Sequence, residues 1–390
     1  MTLARAGFDV VVYGTSPDLV KLDVDIALAR RHGFAFKSVA ATSQVKCIKR
    51  LQSIWPPIRT RLGKGLFRFL SMPNRWQLGS CVLELLCAAR KANADYYIVH
   101  LEQGAWVGAR LLNSGYSVGL DIEDWYSEDL LPEAQNQRPL RLLRDLEQKL
   151  LMQGGHATCP SRAMSDALAQ HYKCPPPAVV YNAFPWSERG SVDGLLKDRL
   201  NRKVPSIHWF SQTLGTGRGL EDLLAALPHV HHAAEIHLRG NPAAGFESWL
   251  RNSVPQYWRD RIFLHGLVSN EELLSRVAEH DIGFAGEMKY CRSRDLTVTN
   301  KILYYLLAGL AVIASDTAGQ CEVAEQAPDA VLLYPSGDSS TLAAKINLFL
   351  GSSYRMERAK AAALQAAKRT FCWERQEKVL LQMVADALVK

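Results

Sequence analysis

From residue 206 to residue 350, short β-type runs alternate with helical stretches at a steady interval, and this alternation restricts the fold more than any other feature. The candidate strands are Ser206 to Ser211, Glu235 to Arg239, Ile262 to His265, Asp281 to Ala285, Ala311 to Ser315 and Ala330 to Tyr334. Such short apolar runs cannot cover themselves. With a helix between each pair they build a parallel sheet covered on both faces. Helix starts are marked as well: Ser269-Asn270-Glu271-Glu272 reads as a capping box, and Asp338-Ser339 precedes an apolar helical stretch that ends near Leu350.

The first half follows the same rule less regularly, with strands expected near Asp9 to Tyr13, Ala35 to Val39, Tyr96 to Leu101, Ser117 to Asp121, His156 to Cys159 and Ala178 to Tyr181. A length of 390 residues suits two domains of about 100 to 200 residues each. The expected class is therefore α/β, with two Rossmann-like, doubly wound parallel sheets facing a cleft. The expected domains are residues 1–200 and 201–372, with a C-terminal helix, 373–390, crossing back to the first. Asn182 to Lys203 holds Pro185, Gly190 and Gly194 without strong periodicity and reads as the linker. Open parallel sheets bind ligands beyond the carboxyl ends of their strands, so a cleft between two such edges suits a two-substrate transfer.

Composition excludes several classes. With 48% hydrophobic and 22% charged residues the chain is neither disordered nor fibrous. No apolar run approaches the roughly 18 to 20 residues that cross a bilayer, and Met1 to Gly7 lacks the regions of a secretory signal, so a cytoplasmic protein is expected. The eight cysteines form no C-x-x-C pair and no zinc or disulfide spacing, which leaves reduced, structural thiols. The net charge of +7 is uneven: Ile26 to Leu83 contains eleven Lys and Arg and no Asp or Glu. Within that run, 57–73 reads as an amphipathic helix, with Leu62, Leu66, Phe69 and Leu70 along one stripe and Arg61, Lys64 and Arg68 along another. Such a helix either lies on an anionic membrane, here at the inner face of the plasma membrane, or docks on the domain core with its basic residues in solvent. No helix-turn-helix, zinc finger or RNP-like phrase is present, so no nucleic-acid partner is expected.

Two helix starts in the second half gather groups suited to an anion. The strand from Ser206 runs into Gln212-Thr213-Leu214-Gly215-Thr216-Gly217-Arg218-Gly219, and a helix from Leu220 to Ala226 follows. Gly215, Gly217 and Gly219 let backbone N–H groups approach a phosphate, and Arg218 adds a full positive charge. Thr297, Thr299, Asn300 and Lys301 then precede the helix Ile302 to Ala308, which Gly309 ends. Both belong to one sheet edge and could clamp one diphosphate.

The string Asn300-Lys301-Ile302-Leu303-Tyr304-Tyr305-Leu306-Leu307-Ala308-Gly309-Leu310-Ala311-Val312-Ile313-Ala314-Ser315 resembles the N-K-x-x-E-Y-x-x-x-G-x-P-V-I-A-S signature of family 4 glycosyltransferases, also called glycosyl transferases group 1. Arg218-Gly219, Gly266-Leu267-Val268, Asp281-Ile282-Gly283, Gly319 to Glu322 and, upstream, Glu147, Cys159-Pro160-Ser161 and Val180-Tyr181-Asn182 fall in the family's order, as does Trp373 at its last crossover helix. The resemblance implies the GT-B fold and a retaining, metal-independent transfer from a nucleotide-sugar donor of UDP or GDP type. It implies no further cofactor and a glycan or lipid-linked acceptor in cell-envelope glycan assembly. Arg218 and Lys301 would then neutralise the donor diphosphate, and Glu322 would join the donor site.

Leu296 and Tyr304 stand where the family has a pair of glutamates with seven residues between them; Glu287 or Asp295 could take over the sugar hydroxyls, or the chain binds a nucleotide without transferring. In Ser117-Val118-Gly119-Leu120-Asp121-Ile122-Glu123-Asp124 three carboxylates follow a strand. Asp121 or Glu123 either orients the acceptor hydroxyl or caps a helix. A D-x-D metal clamp belongs to a different architecture, so no metal is expected. His100, at the end of the preceding strand, reads as a buried, hydrogen-bonded histidine or as a cleft residue. Thr2 to Phe8 resembles the end of the family's first helix, so the usual first strand is expected to be missing and the first sheet to contain a gap. The rival readings are a non-catalytic nucleotide-, membrane- or partner-binding protein and a nucleotide-sugar epimerase.

Overall fold

In the computed structural model, which describes residues 1–15, 19–39, 58–59, 61–63, 65, 74–135, 138–199 and 204–389, the alternating half folds as one six-stranded parallel sheet. Its strands are β7 (Ser206–Leu214), β8 (Glu235–Pro242), β9 (Ile262–His265), β10 (Ile282–Ala285), β11 (Ala311–Ser315) and β12 (Val331–Tyr334), in the order β12-β11-β10-β7-β8-β9. The chain starts at the centre and winds outward twice, so the order reverses at the seam between β7 and β10. There Ile282 lies opposite Ile207.

Because side chains alternate along a strand, the sheet presents two different faces. Ile207, Trp209, Ile236, Leu238, Ile282, Phe284 and Ile313 enter an apolar core with Leu220, Leu223, Leu224, Leu342, Ile346 and Phe349 from the covering helices. The other face of β7, β8 and β9 is polar: His208 lies opposite His237, and Arg239 lies opposite His265. His237 and His265 share a hydrogen bond of 3.0 Å, and the His208 and His280 rings stack 4.4 Å apart. Asp198 pairs with Arg239, Arg199 donates to Asp281 at 2.9 Å, and Asp193 accepts from Arg276 at 2.6 Å. The Lys197 and Asp198 amides donate to Glu279 at 3.0 and 2.8 Å. Side-chain chemistry rather than periodicity thus fastens residues 193–199, inside the stretch read as a linker, to this sheet.

Contacts divide the chain into two units, one of Met1–Cys159, Ser165–Val180 and Glu377–Lys390, the other of Pro160–Met164 and Tyr181–Gln376. In the first, β3 (Tyr97–His100), β4 (Val118–Asp121), β5 (His156–Cys159) and β6 (Ala178–Val179) form a parallel sheet in sequence order. β1 (Val11–Gly14) and β2 (Ala35–Ser38) pair only with each other. Among the described residues, neither β1 nor β3 has a ladder partner on its remaining side. The helix Leu101–Asn113 sits close on the four-stranded sheet: a Cβ at Gly108 would come within 2.9 Å of Val99 on β3. The last helix, Trp373–Val389, reaches the first unit from Glu377 onward, and Glu377 accepts from Arg5 at 2.9 Å.

Most of 57–73 lies outside the described residues; within it, Arg59 donates to Glu84 at 2.6 Å. No helix among the described residues is long and apolar enough to cross a membrane.

Burial, reinforced by neighbouring cations, holds His280 down to about 4 and His237 down to about 2, and it lowers His208 and His265 as well. In the unfolded chain each takes up a proton near 6.5, so below that pH the unfolded state binds more protons and stability falls with pH. We expect the urea midpoint of the second unit to be unchanged above about pH 7 and to drop steadily from about pH 6.5 towards 4. His280→Asn should lower the proton uptake by about one. Equal midpoints at pH 5 and pH 7 would contradict the buried neutral state of these rings.

Candidate functional site

At the β7–β10 seam two loops touch. Gly219, with φ of +81°, ends the loop after β7, and a Cβ there would lie 2.5 Å from the carbonyl oxygen of Gly286, in the loop after β10. Only glycine allows this approach. The residue after Gly286 is Glu287, whose carboxylate accepts from the Lys301 ammonium at 2.7 Å. One continuous set of contacts therefore runs from Arg218-Gly219 through Gly286-Glu287 to Lys301.

The Lys301–Glu287 pair is built in from several sides. Lys301 is the second residue of the helix Asn300–Ala308, and its ammonium lies 5.5 Å from the ring centre of Trp209 on β7. The Glu287 amide donates to Ser315 Oγ at 2.8 Å, and the Glu287 carbonyl accepts from Ser336 Oγ at 3.0 Å. Gln320 donates to the same Ser315 hydroxyl at 2.8 Å. The side chains of Lys301 and Glu287 are only 14% and 5% exposed, so the pair interacts in a poorly screened setting. Arg218 is exposed and donates to Ser211 Oγ at 3.3 Å, which leaves most of its guanidinium in solvent.

Several expected ligand groups already have partners. The Gly217 amide donates to Glu221, in the first turn of the short helix Leu220–Ala226, so the cradle holds an acid of its own. A Cβ added at Gly215 would meet nothing nearer than Ala243, at 3.9 Å. Thr297 donates to the Ser293 carbonyl at 2.8 Å and secures the end of the helix Arg292–Leu296. Glu322 uses both carboxylate oxygens on the amides of Arg162 and Ala163, at 3.1 and 3.0 Å. Thr299 is the N-cap of the Asn300–Ala308 helix, and its buried hydroxyl has no partner; Asn300 is exposed beside it. Asp295 accepts from the Ala318 amide at 3.2 Å. Ser315, Gln320 and Trp209 were not singled out in the sequence; Ser315 closes the buried β11 run, which was the available signal.

In the first unit, Asp121 ends β4 and accepts from Thr158 Oγ1 at 2.6 Å. His100 Nδ1 lies 3.0 Å from Asp121 and 3.5 Å from Glu123. The His100 side chain is about half exposed, at 48%, so the buried reading is corrected. Hydrogen bonds to Asp121 and Glu123 raise His100 to about 9; burial pushes Asp121 up, but its contacts to His100 and Thr158 and the nearby His156 together lower it. These three residues could each offer a metal one ligand atom within 4.8 Å of the others, but the imidazolium already serves the carboxylates as counter-charge.

Residues 206–352 match the sequence model of the family described as Glycosyl transferases group 1. No curated protein sequence matches the chain. Among solved structures, Anabaena Alr3699/HepE in complex with UDP superposes with a TM-score of 0.68 at 18% identity, covering 97% of this chain and 100% of that one. The same protein was also solved with UDP-glucose. Sucrose-phosphate synthase from Thermosynechococcus elongatus gives a TM-score of 0.71 at 15% identity, covering 100% and 91%. WaaG, a glycosyltransferase involved in lipopolysaccharide biosynthesis, gives 0.62 at 12% identity, covering 98% and 93%. The fold is therefore of the GT-B type, with parallel-sheet units.

Removing one partner of a buried pair leaves the other charge uncompensated. Lys301→Met should lower the unfolding free energy by about 3 kcal/mol. Adding Glu287→Gln should recover much of that loss, as measured by urea unfolding of all three variants. Simple additivity of the two substitutions would mean the charges are not coupled.

Proposed function

We propose that the chain, whose residues 206–352 match the glycosyl transferases group 1 family, moves a sugar from a nucleotide-sugar donor onto an acceptor with retention and without a metal. The observation that carries this reading is the Gly219–Gly286 contact, which joins Arg218 and the Lys301–Glu287 pair at the switch point of the second unit's sheet. Ligands of doubly wound sheets bind at that place. As the glycosidic bond breaks, the leaving diphosphate gains negative charge. Arg218, Lys301 and the N-terminus of the Asn300–Ala308 helix bring positive charge to that diphosphate and stabilise it.

Glu287 has a second part in this reading. While no diphosphate is present it neutralises Lys301; when one arrives, the ammonium is shared and a Glu287 oxygen is freed for a donor-sugar hydroxyl. UDP as the nucleotide is supported by the complexes of the Anabaena protein. On the first unit, Asp121, held ionised by His100, orients the acceptor hydroxyl. The basic run from Ile26 to Leu83 favours an acceptor carried on an anionic membrane, in envelope glycan assembly.

Binding without turnover is the second reading, favoured by the absence of carboxylates at Leu296 and Tyr304. The two separate in one experiment. Thermal shift against UDP, GDP and ADP sugars should single out one nucleotide, and Arg218→Ala should weaken it by about tenfold or more. Release of free sugar from that donor on prolonged incubation supports transfer chemistry, and tight binding with no release favours the second reading. If no nucleotide raises the melting temperature, both fail.

A further inference from the structure

The first unit contains a cavity of about 320 Å³ that the transfer reading does not use, lined by Asn74, Arg75, Trp76, Trp106, Arg110 and Leu142. One wall is tied down by a cap. The turn Arg75–Gln77 is closed by a reciprocal cap: Asn74 Oδ1 accepts from the Trp76 amide at 3.2 Å, and Gln77 Oε1 accepts from the Asn74 amide at 3.0 Å. Trp106 and Arg110 stand one turn apart on the helix Leu101–Asn113.

The chemistry of the lining has one sign. Each guanidinium lies over an indole, Arg75 at 5.4 Å from the Trp76 ring centre and Arg110 at 5.0 Å from that of Trp106. Neither arginine has an ion pair among the described residues, and no carboxylate lines the cavity. Arg75 Nε and Trp76 Nε1 are buried and find no acceptor among the described residues. Buried donors without acceptors are costly, and one of these belongs to a guanidinium whose residue lines the cavity. An occupant has to bring acceptor oxygens and negative charge, together with an apolar ring face for the indoles and Leu142.

We propose that this cavity binds an acidic saccharide, a pyranose bearing a carboxylate or a phosphate group, with Arg75 and Arg110 on the anion. The proposal stands on the cavity alone and does not depend on the transfer reading.

The test uses the full chain labelled with 5-fluorotryptophan and followed by fluorine NMR, with Trp76→Phe and Trp106→Phe assigning the two resonances. Glucuronate or glucose 6-phosphate is expected to shift both resonances saturably, and glucose is expected to leave them in place. Arg75→Gln and the more exposed Arg110→Gln should each weaken the effect by about tenfold, with the melting temperature showing that the variants remain folded. A shift by either acidic probe that these variants abolish identifies which anion is preferred. Equal shifts with glucose, equal shifts with inorganic phosphate alone, or no shift with either acidic sugar would each overturn the proposal.

Discussion

A lysine and a glutamate that both avoid water, Lys301 and Glu287, hold the carboxyl edge of the second unit together. A buried carboxylate needs a partner charge, so the loop after β10 has to bring Glu287 to the start of the Asn300–Ala308 helix. That requirement fixes the loop. The same stretch of backbone then occupies Ser315 at the end of β11 and Ser336 just beyond β12, and Gln320 completes the bonding of Ser315. Three strand ends are thereby tied to one ion pair, and Gly219 closes the set from β7.

The position of Lys301 depends on what lies under its helix. Tyr305, fully buried, lies against Gly283 of β10, where a Cβ would come within 2.3 Å of its ring, and its hydroxyl donates to the His208 carbonyl at 3.0 Å. The helix therefore sits directly on the β7–β10 seam, and a larger residue at Gly283 would lift it. His208 belongs to the polar face covered by residues 193–199, so the ion pairs of Asp198 and Arg199 support the same strands that present the candidate site. The segment that sequence periodicity reads as a loose linker is thus part of the foundation of that sheet.

Elements were legible where one pattern has one meaning. Ile262–His265, Ala311–Ser315 and Leu220–Ala226 form with the expected bounds because short apolar runs stand between clear breakers. β7 and β8 run three residues past expectation, through a register shift between Phe210 and Thr213 that alternation does not encode. Site residues were harder, because the groups that bind a phosphate or a sugar also cap helices. Glu322 and Thr297 use their oxygens on the protein's own backbone, and Glu221 takes the Gly217 amide that the glycine pattern reserved for an anion. Lys301 was legible from its place in the signature, but its pairing with Glu287 joins residues fourteen apart and only the fold brings them together.

The departure at Tyr304 follows from the same packing. Tyr304 is buried edge-on to Phe184, with ring centres 4.5 Å apart, and tilted against Phe210 at 5.5 Å. A carboxylate in that aromatic surround would lose its hydration, so the site in its present form favours an aromatic ring there. An acid that is to serve the donor needs a counter-charge within reach while the donor is absent. Glu287 has one in Lys301, and its main chain is fixed at both ends by serine hydroxyls. In the transfer reading proposed above, an acid on the loop after β10 rather than on the helix would keep the charge balanced in the empty state, and Glu287 stands beside the lysine that a diphosphate would engage.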